Sequence, residues 1–345
     1  MIISARPLLR GVLYSFVHLS VEVACFYFLF SRMAGTPSWW ACAMLYNALA
    51  FLPQILIGEL ADRYRRIPYG GIGCVLMLAG LALPFDYPAL FLLCIGNCLL
   101  HVDGALHTMH GAGGRVTPVA IFVGGGSFGV IAGRLLGSAG WGTVALLPVG
   151  LMLLSLGVCL FLYLRSDLAD DGLPFTQVNT SLPVLPMLLI LLLAVAARSF
   201  VSYAIPTEWM DTTLDSVLLF VFMGLGKMLG GPVADKFGFR TCAIVSLLVS
   251  IPFLAFGGRV MPLSIIGIAL FSMTMPITVG ILASRFRGRV GYSFGITTVG
   301  LFLGVLPSFF VLPRTLLSQI ITLTVLCLAA LGGILISIKK ENKNA

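Results

Sequence analysis

His18 and Glu22 stand four residues apart in an apolar stretch whose other charged residues are no nearer than Arg10 and Arg32. At helical spacing the two share one face, and Ser15 and Cys25 extend it into a narrow polar stripe. A carboxylate beside an imidazole in hydrocarbon can pass a proton, or can stand as a buried structural pair. Arg198 is the lone charge of a second apolar stretch, with Ser202 and Tyr203 just beyond it. A guanidinium there suits a carboxylate or phosphate, or an internal partner such as Glu22. The segment from Cys94 to His110 holds three of the four histidines. Helical spacing puts Cys94, Asn97, Cys98 and His101 on one face and Asp103, His107 and His110 on another. Both sets contain transition-metal ligand types. No metal-binding motif is matched, however, and the faces point apart. No metal site is therefore expected, and Asn97 and His101 read as groups lining an internal space.

These side chains need a scaffold that holds charges inside apolar surroundings. The chain has 345 residues, of which 59% are hydrophobic and 10% charged, with a mean hydropathy of +1.06. A soluble domain carries about 25% charged residues, so the composition reads as an all-α membrane protein and excludes a soluble enzyme. Twelve spans of about 20 residues each fit the length. They are expected near 11–33, 38–59, 68–86, 88–110, 116–138 and 141–164, then 183–206, 214–234, 239–258, 261–284, 291–312 and 315–338. A polar segment, 166–182, divides an N-terminal bundle (1–165) from a C-terminal one (183–345). The first apolar run lacks a clean cleavage site and reads as a retained helix, not a signal peptide. The eight cysteines lie in or at the ends of apolar runs without framework spacing, so they read as packing residues.

Basic residues orient the chain. With the N-terminus inside, fifteen fall on the cytoplasmic side: Arg6, Arg10, Arg63, Arg65, Arg66, Arg115, Arg165, Lys236, Arg240, Arg285, Arg287, Arg289, Lys339, Lys340 and Lys343. Arg32, Arg259 and Arg314 fall outside, and Arg134, Arg198 and Lys227 lie within spans. Both termini are thus expected in the cytoplasm, in a cell (plasma) membrane protein. The net charge of +8 is a topology signal spread over loops, which excludes a nucleic-acid partner. Trp39, Trp40, Trp141 and Trp209 all fall on the expected outer interface, where indole rings settle.

The chain also repeats itself. Gly231 to Arg240 reads G-P-V-A-D-K-F-G-F-R, and Gly58 to Arg66, 173 positions earlier, reads G-E-L-A-D-R-Y-R-R. Gly124, Gly129 and Gly133 match Gly295, Gly300 and Gly304 at an offset of 171. Two matches at nearly one offset imply a six-plus-six duplication, a parallel-repeat arrangement with a site near the midplane. Gly125, Gly129, Gly133 and Gly137 form a ladder that lets helices approach closely, and Arg134 interrupts it. Lys227 stands four residues before the loop glycine, as Gln54 does in the first copy, and reads as a gating or structural group. Pro276 should kink the tenth span.

With Gly231, Asp235, Lys236, Gly238 and Arg240 in one loop and Gly58, Asp62, Arg63 and Arg66 in its partial copy, the chain resembles the major facilitator superfamily of secondary transporters. The first copy departs from the family pattern G-x-x-x-D-[RK]-x-G-[RK]-[RK], with Arg65 where glycine is usual. The resemblance implies two pseudo-symmetric six-helix bundles. It implies that Asp62 and Asp235 cap a neighbouring helix and pair with a loop arginine to close the cytoplasmic side; the alternative is a pair of topology anchors. It implies that the first, fourth, seventh and tenth helices line a cavity, with Glu22 as proton-coupling candidate and His18 tuning it. It implies that the fifth helix packs on the eighth. The fifth helix lacks the proline of the family's antiporter motif. The expected function is transport of a small solute by alternating access, with protons as candidate coupling ion, no cofactor, no catalysis and a monomeric state. Glu22 and Asp103 against Arg134, Arg198 and Lys227 lean towards an anionic or zwitterionic solute. The alternatives are a receptor or sensor on the same scaffold, or an intramembrane metal-binding protein using the fourth-span histidines.

Overall fold

The computed structural model describes residues 2–140, 142–165, 178, 181–310 and 315–338. Trp141, Arg314, Lys339, Lys340, Lys343 and nearly all of the 166–182 segment lie outside the described residues.

The described chain is helical, apart from one isolated bridge between Val178 and Ile338. In order, the helices are α1 (Ile2–Phe28), α2 (Trp39–Phe51), α3 (Gln54–Arg63), α4 (Tyr69–Ala82), α5 (Asp86–Met109), α6 (Thr117–Ser138) and α7 (Leu146–Arg165). They continue with α8 (Val184–Ala204), α9 (Thr213–Ile244), α10 (Ser250–Phe256), α11 (Met261–Ser272), α12 (Met275–Arg285), α13 (Val290–Val305) and α14 (Leu316–Ser337). Ten helical stretches among the described residues are long and apolar enough to cross a membrane. The chain is a multi-pass membrane protein.

The elements differ from simple rods for local reasons. Pro53 stands at the break between α2 and α3, where proline cannot donate to the preceding turn. Pro276 lies in the first turn of α12, after a break at Met273–Thr274, so the tenth-span kink is a full interruption. α4 has 14 residues, short of the roughly 20 that a span needs. Residues Thr213–Arg259 form one 47-residue helical stretch, but Gly238 inside it has φ +85° and ψ 157° and turns the chain. Only glycine takes that conformation without strain. The first loop copy turns over Tyr64–Pro68 without any non-glycine residue at positive φ, which explains how Arg65 fits there.

Packing sets the layers. α5 and the α11–α12 pair are 78% buried over their apolar windows, whereas α7 is only 22% buried and α14 33%. The last two therefore form lipid-facing flanks, with Leu164 and Leu317 largely exposed. α1 lies along α6, α8 against α13 and α14, and two crossings join early and late segments: α6 with α9, and α3 with α13. The glycine ladder faces α1, not α9: Cβ atoms at Gly133 and Gly137 would fall 2.7 Å from the carbonyls of Val23 and Tyr27. The α9 face of α6 is opened by Gly124, opposite Gly224. All eight cysteines are free and buried.

Candidate functional site

α1, α5 and α6 bring three donors together. His18 Nδ1 lies 3.0 Å from the Phe122 carbonyl, and His101 Nδ1 lies 3.0 Å from the Asn97 carbonyl. A carbonyl only accepts, so both contacts suit an Nδ1–H, and a neutral ring in that tautomer presents its Nε2 lone pair. Those two Nε2 atoms stand 2.9 Å apart, and Glu22 Oε1 lies 3.6 Å from one and 3.8 Å from the other. Two neutral rings in that tautomer would set lone pair against lone pair, whereas a proton on either Nε2 turns the contact into a hydrogen bond. The three atoms lie within 4.8 Å of one another and could in principle hold a metal. Two nitrogens on one tetrahedral zinc, at about 2.0–2.1 Å each, would stand about 3.3 Å apart. The separation of 2.9 Å is of hydrogen-bond length. Glu22 is further held by Tyr46, whose hydroxyl donates to Oε2 at 3.1 Å, and by Asn97 Nδ2 at 3.3 Å from Oε1. Gly126 makes the room: a Cβ there would overlap the His18 ring.

This cluster lines a cavity of about 340 Å³ whose far wall is built by α8, α9, α12 and α13. Lys227, Tyr203, Met275 and Phe294 reach it from that side. A second volume of about 310 Å³ adjoins it, and the two share Lys227, Tyr203, Met223 and Met275, so they form one continuous space. Arg198, on α8, lines the second volume. The Glu22–Arg198 pair open to the sequence reading is not formed. Arg198 Nη2 instead contacts Met275 Sδ at 3.0 Å, and Nε has no partner. Lys227 sits in the cavity wall, with Nζ donating to Ser127 Oγ at 2.9 Å.

Asp103 does not join this group. Its carboxylate accepts from the Tyr14 hydroxyl and lies 3.8 Å from His107 Nε2, in a separate buried cluster. Arg134 is exposed, with its guanidinium 5.4 Å from the Phe30 ring centre. Tyr46, Gly126 and the Phe122 carbonyl carry no sequence signal, because each acts through a contact between separate spans.

The repeated loops build two matching crossings at one end of the molecule. Asp62 accepts from the backbone N–H groups of Gly291 (2.9 Å) and Tyr292 (2.8 Å) at the start of α13. Asp235 accepts from those of Val116 (2.8 Å) and Thr117 (2.9 Å), and from Thr117 Oγ1 (2.5 Å), at the start of α6. Each carboxylate thus satisfies orphan helix donors and meets the positive end of the dipole. The motif glycines let the backbones approach: a Cβ at Gly231 would fall 2.6 Å from Thr117 Cα, and Gly58 crosses Gly291. Arg65 donates to the carbonyls of Asp62 and Gly288, and Arg289 pairs with Glu59 at 2.5 Å across the same crossing. Arg63 joins Glu59 at 3.0 Å, Tyr163 donates to the Arg66 carbonyl, Lys236 lies over Phe237, and Arg240 is exposed.

Solved transporters share this architecture. The fucose:proton symporter FucP of E. coli superposes with a TM-score of 0.65 at 12% identity, covering 97% of this chain and 100% of FucP. The human organic anion transporter MFSD10 (TETRAN) superposes at 0.61 with 15% identity, covering 95% and 97% of the two chains. A bacterial homologue of the iron transporter ferroportin, in its outward-facing state, gives 0.54 at 14% identity, covering 97% of each. At those identities the likeness is one of fold. In sequence, 112 residues are 36% identical to YfnC, an uncharacterised MFS-type transporter of Bacillus subtilis strain 168. That match spans 30% of this chain and 27% of YfnC. No family model matches. The fold is thus shared with solved major facilitator superfamily transporters, and a stretch of the sequence is similar to an MFS-type transporter.

Proposed function

We propose that the protein is a secondary transporter that moves a small anionic or zwitterionic solute across the cell membrane by alternating access, driven by protons. The observation that carries the reading is the cavity lined from both halves of the chain and shut at one end by the reciprocal Asp62 and Asp235 caps. Twelve passes follow when Thr213–Arg259 is counted as two, split at Gly238, and Tyr69–Ala82 is counted as a pass. They group as 1–165 and 183–345 around the 166–182 linker. The motif end faces the cytoplasm by the basic-residue bias, with both termini on that side, and the unit is a monomer. Two structural neighbours, a fucose:proton symporter and an organic anion transporter, support the transport reading.

Proton coupling belongs to the His18–His101 pair with Glu22 as counter-charge. A proton between the two Nε2 atoms resolves their lone-pair repulsion, and the carboxylate neutralises the resulting imidazolium. The test is flux in proteoliposomes with and without a pH gradient. Glu22→Gln should abolish gradient-driven accumulation while solute exchange continues; unchanged gradient dependence would remove Glu22 from coupling.

A further inference from the structure

The cavity treats its two ends unequally. Glu22, on the wall built by α1 and α5, is saturated by the protein: Tyr46 serves Oε2, and Asn97, His18 and His101 surround Oε1. A cationic group on a solute would have to displace one of these. The opposite wall holds two cations without a counter-ion. Among the described residues, the ion pairs formed include neither Arg198 nor Lys227. Arg198 is 6% exposed, its Nε is orphaned, and its Nη2 meets only a thioether sulfur, a weak acceptor. Lys227 has one neutral hydroxyl partner. Removing cations from water without an anion is among the costliest arrangements a protein keeps, and intramembrane charges of this kind mark solute sites. The space around them is walled by apolar side chains, among them Phe220, Met223, Ile268 and Phe271.

We infer that Arg198 and Lys227 form an anion subsite, and that the solute is an amphipathic organic anion. Its carboxylate, phosphate or sulfonate sits between the two cations and its apolar body lies along the aromatic and methionine wall. The inference rests on the transport reading for the word solute, but the binding it asserts does not. It decides between the anionic and zwitterionic options, because the unfilled valence is on the cationic wall alone. The Arg198 guanidinium, a planar fork of N–H donors, can meet an anionic head with paired bonds. Lys227 Nζ can add a bond while keeping Ser127.

Two measurements on the purified full-length protein in detergent test it. The first needs no ligand. Lys227→Met and Arg198→Gln remove an uncompensated charge while keeping an unbranched side chain, so the free protein should gain thermal stability, with Tm rising about 2–4 °C. A Tm lowered in both variants would make the cations structural and overturn the subsite. The second is isothermal titration with a panel of small arylalkyl carboxylates, phosphonates and sulfonates, each beside its neutral amide and its amine. The acids should bind to the wild type, the amides and amines at least tenfold more weakly, and both variants should lose the acids. Arg198→Lys, which keeps charge but not the fork, should retain partial binding. Amines or amides binding as tightly as acids, acid binding unchanged in both variants, or no acid binding at all would each overturn the inference. A protein that binds the acids but shows no flux in vesicles would refute transport and leave the subsite standing.

Discussion

Asp235→Asn isolates what the repeated loop does. In the closed crossing the carboxylate accepts two backbone N–H groups and one hydroxyl at the start of α6. Asparagine keeps one acceptor oxygen and turns an NH2 group towards the second N–H. One charge-assisted bond is lost, at about 1.5–3 kcal/mol, and the favourable helix-dipole contact goes with it, at about 0.3–1 kcal/mol. Both losses fall only on the state in which α6 and α9 are crossed. The closed state should weaken by about 2–4 kcal/mol, an equilibrium shift of about 30- to 800-fold. Spin labels at Tyr64 and Phe237, both exposed at the motif end, report that opening as a longer inter-label distance. The variant should populate the long distance, and flux should slow because reclosure has become unfavourable. A distance distribution and flux equal to the wild type would reduce the loop to a topology anchor.

Two further outcomes follow from the same geometry. Glu59→Gln removes an exposed ion pair with Arg289, worth about 0–1 kcal/mol, so the same labels should show less than about a fivefold population shift; an effect as large as that of Asp235→Asn would contradict the ranking of cap over ion pair. Gly126→Val puts a branched side chain into the His18 ring, at about 1–3 kcal/mol of overpacking. It should fold and still exchange solute in vesicles, while losing accumulation under a pH gradient.

What was readable from sequence follows the range over which each signal acts. The i, i+4 relation of His18 and Glu22, the long apolar runs and the repeated loop are local, and periodicity alone exposes them. The capping role of Asp62 and Asp235 came through resemblance, and the hydrogen bonds at α13 and α6 give it a physical form. Contacts between spans were not readable. His18 meets His101 across 83 positions and Glu22 meets Tyr46 across 24. Helical-wheel reasoning on α5 alone sorts its own faces but cannot add α1 to them, so it divided the histidines correctly without finding the three-donor group. Of the two partners the sequence left open for Arg198, Glu22 is not met, because histidine, asparagine and tyrosine surround that carboxylate. The ladder on α6 was visible as spacing, but nothing in a run of glycines says which neighbour it faces.

The two crossings share one device, an aspartate on a helix start and a glycine under the backbone, while the cavity walls differ, one an acid–histidine side and one a cationic side. α6 touches all of these parts. Its first turn is held by Asp235. One turn on, the Phe122 carbonyl fixes the His18 tautomer, and Gly126 seats the ring. The next residue, Ser127, holds Lys227 of the opposite wall. A slide of α6 against α9 therefore cannot release the cap without also straining the Ser127–Lys227 bond. A slide of α6 against α1 cannot occur without disturbing the contact that keeps both Nε2 atoms facing. On the proposed reading, cap, proton pair and anion subsite all meet one helix, so a change at any of them would bias α6. No wire of further residues is needed between them.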